Sequence, residues 1–180
     1  DAVQGGAGTT ANMNVNEVIA NRATEILGGK KGEYICHPND HVNCSQSTND
    51  VIPTAGKLTV IGMCAELKKN VLGLIEALDA KAKEFDGIIK MGRTQLEDAV
   101  PIRLGQEFAA YSSCISRCLR LIGKAEAEMH SLNLGGTAIG TAINVKKAYL
   151  KNIVPELAEI TGYELNQAEN LIDATQNLDG

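Results

Sequence analysis

The chain has 180 residues, a formal net charge of -5, 44% hydrophobic residues, 3% aromatics and no tryptophan. That length supports one sizeable core, which must be aliphatic and therefore favours packed helices over a small sandwich or barrel. Scattered basic residues without an aromatic-lined patch exclude a nucleic-acid footprint, and the most apolar stretch, residues 58–65, falls far short of a membrane span.

Chain order begins with a glycine-rich loop, residues 5–8, leading into "TTANMNVNEVIANRATEIL". Met13, Val18, Ile19, Ala23, Ile26 and Leu27 recur at helical spacing, and Gly28 with Gly29 stops the helix. Residues 30–46 carry no period and read as loop. A second helix begins near Ser47, with Pro53 in its first turns, where proline is tolerated. Its apolar residues step in heptads through Val60, Cys64, Leu67, Val71, Leu74, Leu78 and Phe85, widened by Leu58, Ile61, Leu72 and Ile75.

"DGIIKMGRT" turns the chain and offers a short strand. The third helix is the clearest element: Leu104, Phe108, Tyr111, Ile115, Cys118, Ile122, Ala125, Met129 and Leu132 step by fours and threes. Such a helix is on the order of 45 Å long at 1.5 Å per residue. After "NLGGTAIGTAIN" a fourth helical stretch runs to Gly162, broken or restarted at Pro155. The expected fold class is all-α, and stripes this wide call for an oligomeric bundle.

Four stretches carry candidate chemistry. "CHPNDHVNC" has the right residue types for zinc, but Cys36 and His37 are adjacent and no CxxC pair exists, so a polar loop with incidental thiols explains it better. "STND", residues 47–50, opens a helix with four residues of which a cap needs one. Free N–H groups and added hydroxyls at a helix start form a carboxylate site. "GGAGTT" follows the same logic, with glycines for close approach and Thr9 and Thr10 as donors, although no GxxxxGK[ST] pattern exists. "MGRTQLEDAVP" places Thr94 and Gln95 before Pro101; the bland alternative is a turn with Asp98 as a cap. His130 reads as solvent-facing, Cys118 as a core position, and neither Cys114 nor Cys118 as a nucleophile.

Together "GGAGTTANMNVNEVIANRA", "HPNDHVNCSQSTNDVIPTA", "KMGRTQLEDAVPIRLGQEF" and "NLGGTAIGTAIN" resemble the aspartase/fumarase superfamily, in order and across essentially the whole chain. The resemblance implies a homotetramer whose long helices merge into a central bundle, with active sites drawn from three subunits. It implies reversible elimination from a succinyl-type substrate with fumarate as product, and no metal or organic cofactor. Ala7 and Gln95 look like the aspartate ammonia-lyase branch, where class II fumarate hydratases usually carry serine and histidine. That branch deaminates L-aspartate to fumarate and ammonia through an enediolate.

By the same resemblance Thr9, Ser47 and Thr48 hold the carboxylate beside the carbon losing its proton. Asn49, Thr94 and Gln95 lie near the leaving-group side, and His37, Asn39 and Asp40 match a secondary anion-binding loop of fumarases. Glu97 stands where the family usually has Gln. The family's general base is a serine on a GSSxMPxKxN loop, and no such stretch occurs in the 180 residues. The sequence therefore reads as part of a longer chain and is expected to be inactive alone. Residues 1–46 are read as the end of an N-terminal domain and 47–180 as the first part of a helical-bundle domain. Five cysteines without a framework spacing, and no secretory leader, fit a cytoplasmic setting. A class II fumarate hydratase and a non-catalytic helical assembly module remain as alternatives.

Overall fold

The computed structural model describes residues 3–177. Five α-helices dominate: α1 Thr9–Ile26, α2 Thr48–Glu84, α3 Leu104–Met129, α4 Lys147–Thr161 and α5 Leu171–Gln176. An antiparallel hairpin, β1 Ile89–Thr94 and β2 Glu97–Arg103, joins α2 to α3, and the two-residue strands β3 Ser131–Leu132 and β4 Asn166–Gln167 pair in parallel. The all-α expectation holds. Among the described residues no helix is long and apolar enough to cross a membrane.

Two compact units divide the chain, one of Asp1–Thr59 with Glu128–Gly180 and the other Val60–Ala127. In the first, Leu132, Leu134 and Val154 form a small core, with Val51, Ile153, Leu157 and Leu165 packed against it. The spacing predicts Leu132 as part of the third helix. The helix stops at Met129, and Leu132 instead enters β3, where its side chain is fully buried. The heptad match arose because a core residue sat at the right count after the helix had ended. His130 is half-buried rather than solvent-facing, and its Nδ1–H donates to the Glu164 carbonyl at 2.7 Å. Helix α4 runs unbroken through Pro155 and ends at Gly162 with φ 72°. Val154, Ile153 and Leu157 anchor it on both sides of the proline.

Helix α1 occupies its expected span but buries a different face. Its buried residues are Asn12, Asn16, Ala20 and Thr24, whereas Val18, Ile19 and Ile26 are exposed. The polar face packs because it is hydrogen-bonded. Asn12 and Asn16 both donate to Asn43 Oδ1, at 3.3 and 3.0 Å, and the Cys36 amide donates to Thr24 Oγ1 at 3.1 Å. The stretch read as loop contains one turn of π-helix, Pro38–Val42.

In the second unit the α2 residues Ile61 and Cys64 are buried, whereas Val60, Leu67, Leu72 and Leu74 are exposed, as is Cys118 on α3. The hairpin supplies a second strand that the sequence did not signal. Its two-residue turn places Gln95 at φ 48° and Leu96 at φ 64°, the left-handed pair of a type I′ turn that normally carries Asn-Gly. Thr94 and Glu97 close the turn. Asp98 is no helix cap; it lies in β2 and pairs with Arg93 at 3.0 Å. Nothing in the structure explains Glu97 in place of Gln.

Gly105 marks the closest backbone approach in this unit. A Cβ there would strike the Ala82 carbonyl and meet the Asp86 backbone at 2.8 Å. Gly105→Ala is expected to cost about 1–3 kcal/mol through overpacking. Urea denaturation should show a lower midpoint at an unchanged slope.

Candidate functional site

The start of α2 gathers a polar network in the first unit. Ser47 precedes the helix, its Oγ accepts from the Asn49 amide at 3.2 Å, and its own amide donates to Asp50 Oδ1 at 2.9 Å. This reciprocal pair is a capping box. Thr48 Oγ1 accepts from Asn12 Nδ2 at 3.1 Å. A hydroxyl that accepts from the protein keeps its proton for another acceptor. Ser47 and Thr48 are both half-buried. The helix end thus presents two oriented O–H donors beside its positive dipole, an arrangement suited to a carboxylate.

The glycine loop is tied to the same helix turn. Gly8 sits at φ 82°, and a Cβ on it would lie 2.8 Å from Ile52 Cγ1. Only glycine permits both the left-handed backbone and that approach. Thr9 follows as the first residue of α1 and is exposed, whereas Thr10 Oγ1 is engaged by the Gly5 amide at 2.7 Å.

Asn49 is exposed and turned toward the chain after β3: its Nδ2 donates to the Ala138 carbonyl at 2.7 Å. With Ala138, Ile139, Thr141 and Ile172 it lines a cavity of about 390 Å³. A larger cavity of about 780 Å³, bordered by Lys57, Glu128, Ser131, Glu169 and Asp173, contains none of the residues nominated from sequence. The helix start is the better candidate because it gathers hydroxyls beside free helix N–H groups, whereas that cavity is lined by side chains of mixed charge.

His37 and His41 organise the π-helical turn. His37 Nδ1 accepts from the Asn39 and Asp40 amides at 3.3 and 3.2 Å, and His41 Nδ1 accepts from the His37 amide at 2.8 Å. Each ring is therefore a neutral Nε2–H tautomer. His37 Nδ1 also lies 3.3 Å from Asp40 Oδ2. An ion pair there would need the proton that the two amide bonds exclude, so the capping role prevails. Among the described residues no three His, Cys, Asp or Glu side chains group as metal ligands.

Thr94 and Gln95 belong to the second unit, at the hairpin tip, and both are exposed. The structure thus brings Ser47, Thr48 and Asn49 together with the glycine loop that carries Thr9, and places the hairpin pair in its own unit.

Several participants were missed from sequence. Asn12 holds Thr48 and shares the Asn43 side-chain oxygen with Asn16, and Asp50 is fully buried. The repeat of Asn12, Asn16, Ala20 and Thr24 at every fourth position was the available signal for a packed polar face. Tyr149 is another. Its hydroxyl is buried with no hydrogen-bond partner among the described residues, and burial raises its pKa above the usual 10.0. The nearby Gln46 amide pulls the other way from outside hydrogen-bonding geometry.

Comparison with known proteins gives this geometry a family. A family model described as Lyase matches residues 1–180, and the chain belongs to that lyase family. It is 52% identical over 180 residues to the aspartate ammonia-lyase of Bacillus subtilis (strain 168), which covers 99% of this chain and 38% of that protein. The aspartate ammonia-lyase of Escherichia coli (strain K12) is 48% identical over 178 residues, 98% of this chain and 37% of its own length. Among solved structures, the fumarate lyase:delta crystallin from Brucella melitensis bound to cobalt aligns with a TM-score of 0.88 at 50% identity, over 97% of this chain and 38% of that one. The recombinant class II fumarase from Schistosoma mansoni aligns at 0.84 and 36% identity, over 95% and 39%. The chain spans 38% of the length of the first of these relatives.

Asn43 supplies the one oxygen shared by two buried amides, Asn12 at 5% and Asn16 at 4% exposure. Asn43→Ala is expected to lower stability by about 1–3 kcal/mol by leaving a buried donor unpaired. Chemical denaturation of the full-length protein checks this, and an unchanged midpoint would remove Asn43 from the network.

Proposed function

We propose that the protein carrying this chain is a carbon–nitrogen lyase that interconverts L-aspartate with fumarate and ammonia. The carrying observation is the pair of hydroxyls at the start of α2, Ser47 and Thr48, whose acceptor sides are filled by protein amides. Their protons are left for a substrate carboxylate. Names of relatives near 50% identity support the ammonia-lyase reading, and the class II fumarase stands at 36%.

The chemistry follows from where charge develops. Removing the proton beside a carboxylate makes an enediolate with two negative charges on that group. Preorganised neutral donors stabilise charge that exists only in the transition state, each contributing about 3–4 kcal/mol. Thr9, Ser47 and Thr48 take this role. Asn49, Thr94 and Gln95 orient the departing amine, a positioning contribution, and no cofactor enters the scheme. His37, Asn39 and Asp40 form an accessory anion-binding loop, for which the Nε2–H of His37 is a suitable donor.

The 180 residues contain no GSSxMPxKxN stretch to supply the general base, so turnover belongs to the longer protein. That protein is read as a homotetramer in which residues 1–46 end an N-terminal domain and residues 47–180 begin the central helical bundle. All five cysteines are unpaired, which fits a cytoplasmic enzyme.

Following fumarate absorbance on the full-length protein tests the reading. Fumarate should form from L-aspartate and not from L-malate; the opposite preference makes the protein a fumarate hydratase, and inactivity on both leaves the helical assembly module. The isolated 180 residues should release no ammonia. Thr48→Val in the full-length enzyme should lower kcat about 10²–10³-fold, as loss of one oxyanion donor does, with the oligomer intact. Equal activity would take Thr48 out of the site.

A further inference from the structure

Asp50 does more than a helix cap requires. A capping box needs one carboxylate oxygen, and Oδ1 fills that need by accepting the Ser47 amide at 2.9 Å. Capping carboxylates normally stay in water, but Asp50 is 0% exposed. Its other oxygen, Oδ2, accepts the amides of Gly135 at 3.1 Å and Thr137 at 2.9 Å, more than eighty residues away in the chain. Among the described residues no cation pairs with it. Three backbone amides carry the buried charge.

The far side of this contact is strained to suit it. Thr137 sits at φ 60°, a conformation that a β-branched residue adopts only where its surroundings demand it. Gly135 sits at φ 92°, where a Cβ would lie 2.8 Å from Leu150 Cδ1. Two more bonds run alongside: Asn133 Nδ2 donates to the Asn49 carbonyl at 3.0 Å, and Asn49 Nδ2 donates to Ala138. The clasp therefore grips residues 49 and 50, in the same first turn as the hydroxyls of Ser47 and Thr48. Each of these bonds joins a side chain of one segment to a backbone atom of the other, so together they tie the helix start to residues 133–138.

We propose that Asp50 is a positioning residue of the lyase site, its buried carboxylate locking the first turn of α2 to residues 133–138 and so holding the Ser47 and Thr48 hydroxyls in their donating geometry. The inference rests on the carboxylate-binding role given to those hydroxyls above. It also gives a task to "NLGGTAIGTAIN", the motif to which sequence assigned none.

A double-mutant cycle in the full-length enzyme tests it, using Asp50→Asn, Thr48→Val and the pair, with kcat and KM for L-aspartate and light scattering for assembly. Asp50→Asn keeps the shape but sets an amide N–H against one of the three donors. It is expected to assemble and to lose kcat about 10–100-fold, the cost of a small misplacement. Thr48→Val should then cost far less in that background than alone, because the two residues act on one geometry. An Asp50→Asn enzyme within about twofold of wild type, or losses that simply multiply, would overturn the proposal. If Thr48→Val alone is silent, the carboxylate-site reading falls and takes this inference with it. If Asp50→Asn does not assemble, Asn133→Ser opens the same clasp from the loop side and enters the same cycle. If neither assembles, the clasp is a folding requirement and the positioning role is withdrawn.

Discussion

A carboxylate taken wholly out of water must be met by donors, because the desolvation of an unpaired charge exceeds what a small domain can absorb. At Asp50 the donors are the amides of Ser47, Gly135 and Thr137. Much of the first unit can be traced from that requirement. The chain after β3 must turn its N–H groups inward, which takes a left-handed backbone at Gly135 and Thr137. That turn sets Ala138 against Asn49 and Asn133 under the helix start, and it leaves Leu132 and Leu134 facing Val154 in the core.

A second layer of polar contacts works from the opposite side. Asn43 collects the side-chain amides of Asn12 and Asn16, and Asn12 also reaches Thr48. Thr48 is thereby approached from α1 while its neighbours are gripped from residues 133–138. Hydrogen bonds of this kind add only about 1 kcal/mol each to stability. Their geometric effect is larger, since each removes a rotamer that the helix start could otherwise adopt. The apolar clusters supply burial, and the amides decide orientation.

Much of this organisation was legible in the sequence, and the exceptions share a physical cause. Glycine stops and long apolar periods marked α1 through α4, since helix ends and amphipathic spacing leave local signatures even where, as at Val60, Leu67 and Leu74, the stripe is exposed in this chain. The β2 strand left none: its turn is Gln95-Leu96 rather than Asn-Gly, and its strand residues are mostly exposed on both faces. The α1 face was misjudged because burial there follows hydrogen-bond partners in residues 36–43 rather than hydrophobicity. At the candidate site, "STND" revealed a cluster of donors at a helix start, but Asp50 looked like one more cap. Its second set of partners lies on the far side of α2 and α3 in sequence, where no local pattern reaches.

The amide ladder along α1 has a consequence for register. An apolar face tolerates sliding, because one aliphatic contact replaces another at little cost. Asn12 and Asn16 do not, since both address a single oxygen on Asn43. Moving α1 one turn along its axis would bring Ala20 to the place of Asn16 and strand a buried amide beyond the helix start. The helix is therefore keyed like a bolt with one notch, and the glycine loop at its head inherits that fixed address.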